Sequence, residues 1–145
     1  MHEIDLYSYR LGAADVFCEM LRAGVKRISL AHPCPTRQER DEFIEDYQKL
    51  CDEYGVSMYL DDDPLLTDLF PVSLNKGKFN AVFYQDEEVI KEYLMIKEDK
   101  KRMVESGDYT DENRYAIAVR YGKLLSYTDE GIQRLLNNNK EREEF

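Results

Sequence analysis

The feature that most constrains this chain is Thr36-x-x-Glu39, which stands between two short runs, Lys26–Ala31 (KRISLA) and Val56–Leu60 (VSMYL). In such a capping box the hydroxyl and the carboxylate each satisfy a backbone N–H that the first helical turn leaves orphaned. Behind it Phe43, Ile44, Tyr47, Leu50, Cys51 and Tyr54 keep one helical face apolar, and Gly55 supplies a stop. Strand, helix and strand within residues 26–60 predict a βαβ crossover, with parallel strands joined by a right-handed helix from Arg37 to Tyr54.

The remaining pattern extends this unit on both sides. Ala13, Val16, Phe17, Met20 and Leu21 form a helical stripe that ends at Gly24. Residues 2–9 fit either an edge strand, in which Ile4 and Leu6 alternate, or a helix start capped by Asp5 or Ser8. Pro64 suits the first position of a short helical turn over 64–69. Phe79–Tyr84 (FNAVFY) reads as a third strand, Asp86 as the cap of a long helix, and Thr110 and Thr128 as caps of two more. The expected fold is α/β: a small, mainly parallel sheet of three strands, or four if residues 2–9 pair. Helices flank it, and the C-terminal third is helical. Residues 1–136 are expected to form a single domain, followed by a polar tail, 137–145, that frays.

Charge narrows the function. The chain has 145 residues, 43% of them hydrophobic, with 30 acids against 20 Lys and Arg and a net charge of −10. Eleven acids face two bases between Gln38 and Phe70, so nearly all of the net charge lies in that stretch. This balance argues against a broad grip on nucleic-acid phosphates and against docking on anionic membranes. No apolar stretch approaches the roughly 20 residues that span a bilayer. The start Met1-His2-Glu3-Ile4-Asp5 lacks the basic and apolar regions of a secretory signal. The cysteines, Cys18, Cys34 and Cys51, are odd in number with no C-x-x-C pair, which fits a reducing compartment. A soluble cytoplasmic protein is expected.

In open parallel sheets, ligands bind beyond the carboxyl ends of the strands. On the expected topology that rule gathers His32 and Cys34 after the first strand and Asp61, Asp62, Asp63 and Asp68 after the second. It adds Gln85, Asp86 and Glu87 after the third. Cys34 lies two residues before the cap Thr36, where a helix dipole lowers a thiol pKa, so it is expected to be the most reactive thiol. Strand, Cys34-Pro35, helix and strand together resemble the active-site unit of the thioredoxin-like family, which implies thiol chemistry at Cys34. Arg37 stands where a dithiol enzyme of that family has its second cysteine, and no proline immediately precedes Phe79.

Met58-Tyr59-Leu60-Asp61-Asp62-Asp63 is an apolar strand followed by Asp-x-Asp, and it resembles the first motif of haloacid-dehalogenase-like phosphatases. The resemblance implies Asp61 as nucleophile and Asp63 as acid/base beside Mg²⁺, with Leu65 in place of the usual threonine or valine. Independently of it, crowded carboxylates favour a hard cation, Mg²⁺ or Ca²⁺, with Asp61 and Asp63 as ligands. Zinc would need more nitrogen and sulfur than His32 and Cys34 supply. Lys76-Gly77-Lys78 reads as a turn carrying two cations. Two functions follow. The leading one is a non-catalytic α/β module that binds a small ligand or a protein partner. The alternative is a small enzyme at the strand ends, metal-assisted (phosphoryl or hydrolytic) through Asp61–Asp63 or thiol-based through Cys34. Convergence of His32, Cys34 and the aspartates in one concave site would separate them.

Overall fold

Asp5 caps the first helix: its side chain accepts the Tyr7 N–H at 3.2 Å and the Ser8 hydroxyl at 2.7 Å. The computed structural model describes residues 1–145 and places helix α1 at Leu6–Arg22, so residues 2–9 add no fourth strand. Strand β1 is Ile28–Leu30. The capping box forms as expected on one side, with Thr36 Oγ1 accepting the Glu39 N–H at 3.1 Å. The helix behind it is split into α2, Arg37–Asp41, and α3, Ile44–Tyr54. Two anchors flank the break: Arg40 is drawn into the interior, and Phe43 is stacked between Tyr7 and Tyr47. Gly55 closes α3 in the left-handed region, φ 68°, which other residues resist.

Strand β2, Ser57–Asp61, and strand β3, Asn80–Tyr84, complete a sheet whose order is β1-β3-β2. Both pairings are antiparallel, with Leu30 opposite Val82 and Asp61 opposite Asn80. This overturns the expected mainly parallel sheet. The two strands predicted to pair do not touch, because β3 lies between them and runs against both. The physical reason lies in segment 62–79. A parallel β3 would need a crossover long enough to return the chain to the other end of the sheet, usually a helix. The expected helical turn over 64–69 is absent, and the segment contains a single 3₁₀ turn, Val72–Leu74. The chain therefore re-enters the sheet at the end it left.

As the central strand, β3 buries Asn80 through Phe83 and serves two cores by alternation. Ala81 and Phe83 join Ala14, Cys18, Leu21, Phe43 and Tyr47 under α1 and α3. Val82 joins a larger core beneath the C-terminal helices α4 (Glu87–Ser106), α5 (Asp111–Leu124) and α6 (Asp129–Asn138). The C-terminal segment, expected to fray, makes defined contacts. Buried Asn139 donates to the Asp68 and Phe70 carbonyls at 2.9 and 3.1 Å, Glu143 pairs with Lys100 at 2.6 Å, and the Phe145 ring meets Tyr109 edge-on.

Candidate functional site

With β3 reversed, its carboxyl end lies opposite those of β1 and β2. Gln85, Asp86 and Glu87 therefore leave the expected set, and Phe79 and Asn80 take their place beside His32, Cys34 and the aspartates. Two corners occupy this end of the sheet.

The aspartate corner is internally saturated. Asp61 ends β2 and is only 1% exposed. One of its oxygens accepts from the Tyr93 hydroxyl; the other accepts from Lys97 Nζ at 2.9 Å and from the Asp63 N–H at 3.0 Å. Burial above all, with Tyr121 and Asp61 adding to it, pushes the Tyr93 phenol well above its ordinary range, so it stays a neutral donor. Asp62 is paired with Arg40 at 2.6 Å and Arg37 at 3.0 Å, and the Arg40 hydrogen bond holds its carboxyl below the usual carboxylate value. Buried Arg40 also donates to the Asn80 carbonyl at 2.8 Å. Asp68 lies apart, gripped by two nitrogens of Arg114 at 2.9 and 2.6 Å. Asp63 is exposed at the rim of a cleft. No three His, Cys, Asp or Glu side chains stand together as a ligand set for a metal ion.

Cys34 is likewise engaged. It is 1% exposed, and its N–H and C=O both bond Phe79 at 2.8 Å, which ties the Pro33-Cys34-Pro35 segment to the entry of β3. Burial raises its thiol pKa, the reverse of the activation expected from the helix dipole. Cys18 and Cys51 are buried too; the Cys18 thiol donates toward Cys51, which lowers Cys51 and, with desolvation, raises Cys18. None of the three thiols is exposed, which corrects the expectation for Cys34.

The open corner is a groove of about 450 Å³ between α1 and segment 70–78, at the end of β1. Tyr9, Ala13 and Phe17 form its α1 wall; their i, i+4, i+8 spacing makes a second apolar stripe beside the one facing the core. Phe70 and Leu74 form the far wall, and Leu30 and Pro33 lie between. Ala31 donates its N–H to Ala81 at 2.9 Å, so alternation turns the peptide groups of Leu30 toward the free edge of the sheet. The lining has no carboxylate; its charged groups are Arg10 from α1 and Lys78 from the approach to β3, with His32 beside them. Desolvation, then the charges of Arg10 and Lys78, lower the His32 pKa below 6.5 and keep the imidazole neutral at pH 7.

The structure thus brings His32 to a groove and separates it from the aspartates. Ala13 and Phe17 were expected only as part of a core-facing stripe on α1, and Tyr9, Arg10, Phe70 and Leu74 had no place in the expected site. The available signal was the second stripe on α1. Lys78, already marked as a turn cation, does reach the groove. In comparisons with known proteins, no family model, no curated protein and no solved structure matches the chain.

Proposed function

We propose that the protein is a non-catalytic α/β module that binds a small apolar ligand in the groove between α1 and segment 70–78. The observation that carries this is the groove itself, whose size and predominantly apolar walls with a few polar groups suit a small organic molecule. Catalysis at the strand ends would need a free nucleophile or an open carboxylate pair. The burial of the Cys34 thiol and the engagement of Asp61 by Lys97 and Tyr93 favour binding instead. No cofactor is required; a Mg²⁺ or Ca²⁺ ion at Asp61 would have to displace Lys97. The net charge of −10 supports a partner other than nucleic acid, and three free, buried thiols support a reducing, cytoplasmic setting. No helix is long and apolar enough to cross a membrane.

The test is a titration with a panel of small apolar probes, followed through backbone amide NMR shifts. Saturable shifts at Ala13, Leu30, Ala31 and Lys78 are expected. Ala13→Trp, an exposed position on α1 whose indole fills the groove, should abolish them while leaving the amide dispersion of the core intact. Shifts scattered over the surface, or undiminished in Ala13→Trp, overturn the reading.

A further inference from the structure

The groove differs from the other principal clefts in having no carboxylate in its lining. The largest, about 590 Å³ along α4, carries Asp63, Glu98, Glu105 and Glu143 among its lysines. Two smaller ones at the start of α5 contain Asp111, and one beside Arg120 contains Glu88 and Glu92. In a chain with ten more acids than Lys and Arg, the groove beside α1 is lined by cations and no carboxylate.

Nor are these cations consumed within the protein. Lys97, Lys100, Arg114 and Arg120 are each committed to carboxylates, whereas neither Arg10 nor Lys78 takes part in an ion pair. Both are half-buried, and both act on the His32 imidazole, so three basic groups from three segments share one mouth. Half-buried like charges repel one another, and an incoming anion relieves that repulsion in surroundings less screened than bulk water.

We infer that the groove takes amphipathic organic anions, with an apolar tail along Ala13, Phe17 and Phe70 and a carboxylate or phosphate head between Arg10, His32 and Lys78. This rests on the binding reading above and adds to it the chemical class of the ligand. Arginine offers the head a planar fork of donors, lysine a mobile point charge, and His32 a further donor once protonated.

The experiment is an NMR and calorimetric titration of the full chain with decanoate, decyl phosphate, decanol and decyltrimethylammonium, each kept below its micelle concentration. Decanoate and decyl phosphate should shift the groove amides saturably, and the better of the two identifies the head. Decanol should bind at least about tenfold more weakly, roughly 1.4 kcal/mol, and the cationic probe more weakly still. Arg10→Gln and Lys78→Gln should each weaken decanoate several-fold and leave decanol unchanged. Equal binding of decanol and decanoate, or no effect of either substitution, overturns the anion assignment while the apolar groove stands. If no probe shifts the groove amides, the binding reading fails and the inference with it.

Discussion

The aspartate corner and the α1 groove lie at the same end of one sheet, and they handle charge in opposite ways. In the corner, Asp41, Asp61 and Asp62 neutralise Arg37, Arg40 and Lys97, and Tyr93 fills the remaining bonding capacity of Asp61. In the groove, Arg10 and Lys78 have no counter-charge and stand beside apolar walls. The corner has the denser charge in the sequence and the groove the denser unsatisfied charge in the fold. Unsatisfied charge is what a ligand can still respond to. A group already paired contributes to stability, and displacing its partner costs a ligand much of what it would gain.

The largest expected effect tests the corner as a structural device. Asp61→Ala leaves Lys97 and the Tyr93 hydroxyl without their acceptor and should cost about 3 kcal/mol in urea unfolding. Adding Lys97→Met removes the stranded charge and should restore a good part of that loss. A single substitution costing less than about 1 kcal/mol would show the corner to be dispensable to the fold. It would also reopen Asp61 as a candidate for chemistry.

A smaller contrast sets two arginines side by side. Arg40→Gln removes donors from the Asn80 carbonyl and Asp62 and should lower stability by about 2 kcal/mol. Arg10→Gln, with no partner to strand, should stay within about 0.5 kcal/mol of the parent. Equal costs at the two sites would erase the distinction between paired and waiting charge.

The same contrast explains what was legible in the sequence. Caps at Thr36, Asp86 and Thr128, the stop at Gly55 and the stripe of α3 are local features, and each formed where its residues placed it. Strand direction is not local. It was nevertheless implicit in segment 62–79, which lacks a convincing crossover helix, and Phe79–Tyr84 has the near-continuous apolar run of a strand covered on both faces. The positions of Asp61, Asp62 and Asp63 at a strand end were legible, but their occupancy was not. Their partners Arg40, Tyr93 and Lys97 arrive from helices far away in sequence. The groove was hidden for a related reason: α1 carries two apolar stripes, and a pattern read for one core face absorbs the other.

Thiol reactivity sharpens the comparison within the buried set. Cys34 lies close to the groove in sequence, next to lining residue Pro33, yet is as enclosed as Cys18 and Cys51. All three should react with iodoacetamide far more slowly in the folded protein than in urea, with rates that track unfolding. Fast native-state alkylation of Cys34 alone would mean that the segment tied to Phe79 opens, restoring thiol chemistry as a contender.

The smallest effect is the pH response of the groove. His32 in the folded protein titrates below 6.5, so between its folded and unfolded pKa values the unfolded chain binds more protons. Its contribution to stability is fully present above pH 6.5 and is lost as pH falls through the folded value. Desolvation sets this first, and the charges of Arg10 on α1 and Lys78 before β3 add to it. His32→Asn should therefore flatten the fall in stability below pH 6.5, read from urea midpoints, with little change at pH 8. A bound organic anion reverses the local field and favours the imidazolium, so decanoate should bind more tightly as pH falls through the same window, provided its carboxylate stays ionised. Histidine ring shifts in NMR report both sides directly: the His32 midpoint should rise when decanoate is added and should not move with decanol. A midpoint that decanoate leaves unchanged would place the head group away from His32 and limit the anion site to Arg10 and Lys78.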